Sequence, residues 1–188
     1  ILRWVRASSR KSVAQFREKL SKAFRERNIQ IEIFNGGGSG SLNFTAHEPW
    51  VTEVTVGSAF FSPHLFDHFS NIHFEPSCFF ALQAVRKSDP GMVTCFGGGY
   101  IASGETGKDR NPIPVLPRGL SLISTEGCGE VQTPLKGQSA RKIKLGAPII
   151  FRHAKAGELM SHFNEVICVT GGKINSKEKT YRGLGLSI

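Results

Sequence analysis

The sequence contains no apolar run approaching the roughly 20 residues that span a bilayer. Its opening, ILRWVRASSR, also lacks the apolar core of a secretion signal. No membrane partner is expected. Cysteine is scarce, with residues only at 78, 95, 128 and 168, and these form neither a CxxC pair nor zinc-module spacing. They read as reduced, mostly buried thiols of a cytoplasmic protein. Polar aromatics are few as well: two Tyr and two Trp stand against fourteen Phe. That ratio favours packing over a polar aromatic binding face. The formal net charge is +9, but the basic residues are scattered and no RNA-recognition, zinc-finger or basic-zipper pattern accompanies them. No nucleic-acid partner is expected.

Nucleotide fingerprints are missing too. GETGKD, 104–109, has Asp109 after its lysine and Ala102 where a Walker loop needs its first glycine. GGGYIA, 97–102, satisfies a dinucleotide spacing but continues into a proline-rich loop rather than a helix.

What remains is enough for a folded core: 39% hydrophobic and 21% charged residues in 188. The chain opens on Ile1, so it is expected to be processed or to be a piece of a longer protein. LRWV reads as a strand and residues 10–28 as a helix, with Val13, Phe16, Leu20, Ala23 and Phe24 on one face. Its Lys and Arg residues read mainly as a solvated face, with Glu18 one turn before Lys22. Asn28 reads as the helix stop and IQIEIF, 29–34, as a second strand. The result is a βαβ unit followed at once by NGGGSGS.

Beyond residue 48 helical periodicity mostly fades. VTEVTVGSAFF, CFFALQAVRK, GMVTCFGGGYI, GLSLIST, KIKLGAPIIFRH and EVICVTGGKI read as short strands. SDPG at 88–91 and TGGK at 170–173 supply turns, and 64–72 reads as one or two helical turns. This texture predicts short antiparallel strands, with a boundary near Ala46–Pro49.

Four segments carry candidate chemistry. The glycine run 36–41 suits either an anion cradle of converging N–H groups or a flexible tether. The stretch 97–119 reads as an ordered irregular lid or interface stiffened by Pro112, Pro114 and Pro117. It contains Tyr100, either a proton-handling phenol or a packing ring. Glu126 and Glu130 around Gly127-Cys128-Gly129 are either site or turn groups. His153, Lys155 and Glu158 lie close enough in sequence to titrate together, although a lone histidine is more often structural.

Taken in order, NGGGSGS, VTEVTVGS, LFDHF, GGGYIASG, LPRGLSL, EGCGEVQTPL, RHAKAGEL and TYRG resemble the C-terminal half of the alanine racemase-like amino acid deaminase/aldolase family. These are relatives of D-serine dehydratase and D-threonine aldolase, and the resemblance covers about residues 1–183. It implies a fold-type III pyridoxal 5'-phosphate enzyme. Residues 1–48 would be the end of a (β/α)8 barrel and 49–188 a mostly antiparallel β-domain, commonly paired in a homodimer.

The resemblance further implies that Gly36, Gly37, Gly38, Ser39 and Gly40 hold the cofactor phosphate. It places His153 and Lys155 toward an amino acid substrate and Tyr100 near the ring. The implied activity is a lyase, by elimination or aldol cleavage, on D-hydroxy amino acids such as D-serine or D-threonine. The alternatives are a non-catalytic cofactor-binding protein and a racemase. Two departures from the family stand out. The Schiff-base lysine belongs to an early barrel strand absent here, so the chain alone is expected to be inactive. The family's metal pair, His-x-Cys or His-x-Asp, reads His153-Ala154-Lys155, which argues against a divalent metal.

Overall fold

A computed structural model describes residues 2–69, 73–105 and 107–186. The chain divides into two compact units, Ile1–Gly57 and Ser58–Ile188.

The first unit opens on a helix, α1 (Leu2–Glu26). The expected strand LRWV is not formed. With neither glycine nor proline before residue 26, the helix runs uninterrupted to its start. Asn28, at φ 54°, ends it as expected from the sequence, since asparagine tolerates the left-handed region. The second expected strand is displaced. IQIEIF forms no strand, although Phe34 already bonds to Thr52, and strand pairing begins at Asn35 and the glycines as β1 (Asn35–Gly37). A short helix, α2 (Leu42–Thr45), leads to β2 (Glu53–Thr55), which pairs with β1 in parallel, Gly36 opposite Val54.

The lysines and arginines of α1 are not simply a solvated face. Arg10, Arg17 and Arg25 recur on one stripe and engage the segment after the glycine run. The Arg10 guanidinium lies 5.0 Å from the Phe44 ring centroid and that of Arg25 4.8 Å from Trp50. Between them Arg17 Nη1 donates to Glu48 Oε2 at 2.7 Å. The Glu18–Lys22 pair forms at 2.9 Å as its spacing implied. Of the expected apolar face, Leu20, Ala23 and Phe24 are half-buried, whereas Val13 and Phe16 are exposed.

The second unit is built on β3 (Phe79–Asp89), whose Phe80, Leu82 and Ala84 alternate inward. Its first half pairs with β8 (Pro148–Arg152) and its second with β4 (Met92–Phe96), so one strand joins two ladders. β7 (Gln132–Lys136) extends the β4 side and carries β6 (Ser121–Leu122), while β5 (Ile113–Leu116) closes the β8 side. All pairs in this six-stranded sheet are antiparallel.

β5 corrects the reading of 97–119 as irregular throughout. Pro114 is admissible because β5 pairs only with β8 and lies at the sheet edge. A second omission is the helix α3 (Ala156–His162), which is short enough that its periodicity is hard to see. The turns expected at SDPG and TGGK are present. Asp89 Oδ1 accepts from Gly91 N–H at 2.7 Å. Gly171 and Gly172, at φ 57° and 75°, join β9 (Glu165–Thr170) to β10 (Lys173–Lys179). The segment 64–72 supplies one 3-10 turn, His64–Phe66, and residues 70–72 lie outside the described residues.

The core is aromatic at its centre. The Phe80 and Phe151 rings stack 5.4 Å apart, Tyr100 meets Phe80 edge-on at 5.1 Å, and Leu135, Val93 and Ile149 are wholly buried. Among the described residues no helix is long and apolar enough to cross a membrane.

Phe151 is fully enclosed, so Phe151→Ala is expected to cost about 3–5 kcal/mol through lost burial and a cavity. Chemical denaturation followed by circular dichroism measures this. A loss under 1 kcal/mol would contradict the packing described.

Candidate functional site

At the start of the glycine run a side chain would crowd its surroundings. A Cβ on Gly36 would lie 2.7 Å from Arg17 Nη2 and 3.1 Å from Thr45 Cγ2. One on Gly37 would lie 2.9 Å from the Thr55 carbonyl oxygen, on a backbone at φ 120° that side chains rarely adopt. Gly38 follows at φ 131°, and its carbonyl accepts from the N–H groups of Ser41 and Leu42, each at 3.0 Å. Ser39 is buried. Gly36 and Gly37 end β1, and the chain turns tightly out of the strand over residues 38–42. Bare backbone in such a turn is a form that can present N–H groups to an anion.

Strand alternation sorts the neighbouring side chains. Gly36 faces Arg17 and Thr45, so Asn35, Glu53 and Thr55 share the opposite face of the β1–β2 pair. The Asn35 amide donates to both Glu53 Oε1 and Thr55 Oγ1. The sequence reading missed this polar face. TEVT shows the right alternation, but only the parallel pairing register brings Asn35 beside it.

The other sequence-derived residues belong to the second unit. His153 is almost wholly buried, just beyond β8. Its Nδ1 stands 3.2 Å from the Cys78 carbonyl oxygen, and since a carbonyl only accepts, Nδ1 carries the proton. Nε2 is then a bare lone pair, buried and without a hydrogen-bond partner among the described residues. Burial, aided by the Arg152 guanidinium, holds the imidazole neutral with a pKa lowered to about 4. Arg152 itself is fixed by Asp67, at 2.7 and 2.8 Å, and by the Ser62 carbonyl oxygen. The His64 backbone N–H donates to the His153 carbonyl at 3.2 Å.

Lys155 does not join His153 in a shared contact. Its ammonium donates to the Ser103 carbonyl at 2.6 Å. Glu158 instead pairs with His162, Oε1 to Nε2 at 2.9 Å. Tyr100 is part of the aromatic cluster, with its ring 5.3 Å from Phe163 and 4.8 Å from His162, and burial raises its pKa. A raised phenol stays protonated at neutral pH and can donate a proton but not abstract one. Glu126 takes part in a turn, its N–H and that of Gly127 both donating to the Ile123 carbonyl. Cys78, Cys95 and Cys128 are buried thiols, pushed up by burial to about 11, 11 and 12.

A divalent metal does not fit these residues. His153 Nε2 has a lone pair to give, but the protonated Lys155 has none, and Arg152 adds a second nearby cation. Among the described residues no group of three or more His, Cys, Asp or Glu comes together to hold an ion.

Comparison with solved structures assigns the fold to the alanine racemase-like class, in its C-terminal part. D-threonine aldolase from Filomicrobium marinum superposes with a TM-score of 0.77 at 18% identity, over 94% of this chain and 48% of that one. D-threo-3-hydroxyaspartate dehydratase from Delftia sp. HT23 gives 0.65 at 16% identity, over 92% and 51%. Alanine racemase of Clostridium difficile 630, complexed with cycloserine, gives 0.55 at 10% identity, over 85% and 48%. The chain thus spans about half the length of the proteins it matches. No family model and no curated protein matches it by sequence.

His153 generates a stability test. The folded-state pKa of about 4 lies below the ordinary 6.5, so between those values the unfolded chain binds the extra proton. The neutral ring's contribution is complete above pH 6.5 and disappears as pH falls toward 4, to a total of about 3 kcal/mol. Urea midpoints measured from pH 7 to pH 4 are expected to fall more steeply for the native chain than for His153→Gln. Parallel slopes would contradict it.

Proposed function

We propose that this chain is the C-terminal half of a pyridoxal 5'-phosphate-dependent lyase that acts on D-hydroxy amino acids. The observation that carries the reading is the ordered glycine turn 36–40, set in a fold shared with an aldolase and a dehydratase of such substrates. When bound, the cofactor supplies an electron sink for the carbanion formed at the substrate's α-carbon.

The chain's own residues then do four things. Gly36, Gly37, Gly38, Ser39 and Gly40 bind the phosphate through donors that need no side-chain rearrangement. Lys155, tied to the Ser103 carbonyl, supplies a fixed positive charge toward an anionic substrate group. Tyr100 is assigned a place near the cofactor ring, held there by its packing on Phe80 and Phe163. His153, buried and neutral, orients the strand end that precedes Lys155. The Schiff-base lysine is assigned to the part of the full-length protein outside this sequence, and the working enzyme to a homodimer.

The test uses the full-length protein with added cofactor. D-serine is expected to yield a keto acid and ammonia, or D-threonine an aldehyde and glycine. The appearance of the L-enantiomer alone would favour a racemase. A protein that binds the cofactor without any turnover would favour a non-catalytic role. In the same protein, Gly37→Ala is expected to weaken cofactor binding about tenfold, since the added Cβ must displace the Thr55 carbonyl. An absorbance titration reads that loss.

A further inference from the structure

The space that the glycine run leaves empty on its α1 side is filled by one side chain. The Arg17 guanidinium lies where a side chain at residue 36 would have to be, with Thr45 beside it on the same face. The Arg17 and Glu48 side chains are only 16% and 9% exposed, and Nη1 is tied to Oε2 at 2.7 Å. A guanidinium held in this way is rigid. Its planar fork can bond a carboxylate with one nitrogen and press the other against a backbone, which an ammonium cannot do. Arg10 over Phe44 and Arg25 over Trp50 hold the same segment on either side of it.

Given the assignment of the glycine turn to a phosphate, on which this rests, we propose that Arg17 is the positioning residue of that turn. Clamped by Glu48, it fixes the β1 backbone as the chain enters Gly37–Gly40 and so holds the N–H donors aimed before any ligand arrives. Arg17 need not touch the phosphate. Its charge is taken up by Glu48 and its effect is geometric. Preorganised donors bind an anion better because the ordering cost has already been met in folding. The strut therefore acts on the phosphate end of the ligand and not on its ring.

That selectivity is the basis of the test. In the full-length protein, affinities for pyridoxal 5'-phosphate and for phosphate-free pyridoxal are measured by absorbance titration, with melting temperatures alongside. Native protein is expected to favour the phosphorylated form strongly. Arg17→Met is expected to lose roughly tenfold of that preference while its affinity for pyridoxal is unchanged. Arg17→Lys and Glu48→Gln are expected to lose part of it, and they carry the comparison if Arg17→Met does not fold. Variants that keep the native ratio of affinities, or lose both affinities in parallel, would overturn the positioning role. Native protein that binds both compounds equally would remove the phosphate assignment itself, and the role of Arg17 with it. That outcome is seen before any variant is made.

Discussion

At residue 37 the chain has no room for a β-carbon, and at residue 36 one would press on Arg17 and Thr45. Arg17 from α1, Thr45 from α2 and the Thr55 carbonyl from β2 all approach the same backbone. Three elements far apart in sequence can converge only because the strand between them has almost no width.

The second unit works on the opposite basis, with side-chain volume in place of its absence. β3 passes from one ladder to another along its length, and its inward residues join the Phe80–Phe151 stack to Leu135 and Val93. His153 follows directly from this packing. It caps the end of β8, the strand paired with the start of β3, so its ring is drawn into the core and its Nδ1–H reaches the Cys78 carbonyl. A histidine placed there by strand geometry is kept neutral by the same burial.

Much of this was legible in the sequence where local chemistry decides the outcome. The alternation of β3, the paired glycines at 171–172 and the left-handed Asn28 are local facts, and each is present in the structure. The resemblance of the long motifs to the alanine racemase-like class agrees with the fold. What escaped was decided at a distance. LRWV has strand-like composition, but a continuous helix claims it. IQIEIF alternates well, but the partner that makes a strand faces Asn35–Gly37 instead. Pro114 conceals β5 because the edge position that tolerates it is a property of the sheet. Asn35 beside Glu53 depends on a register that no single segment encodes. Arg10, Arg17 and Arg25 recur at seven- and eight-residue intervals, a regularity visible in the sequence. They looked like solubilising charge because their partners lie beyond the glycine run.

Three of the four cysteine thiols are buried in the second unit and held un-ionised, whereas Cys168 on β9 is only half covered. Alkylating reagents react with thiolate, so the molecule carries its own footprinting label for global opening. At neutral pH one site would take up reagent early. The other three would follow only as fast as the sheet comes apart, and a mass shift of three adducts together would time that event.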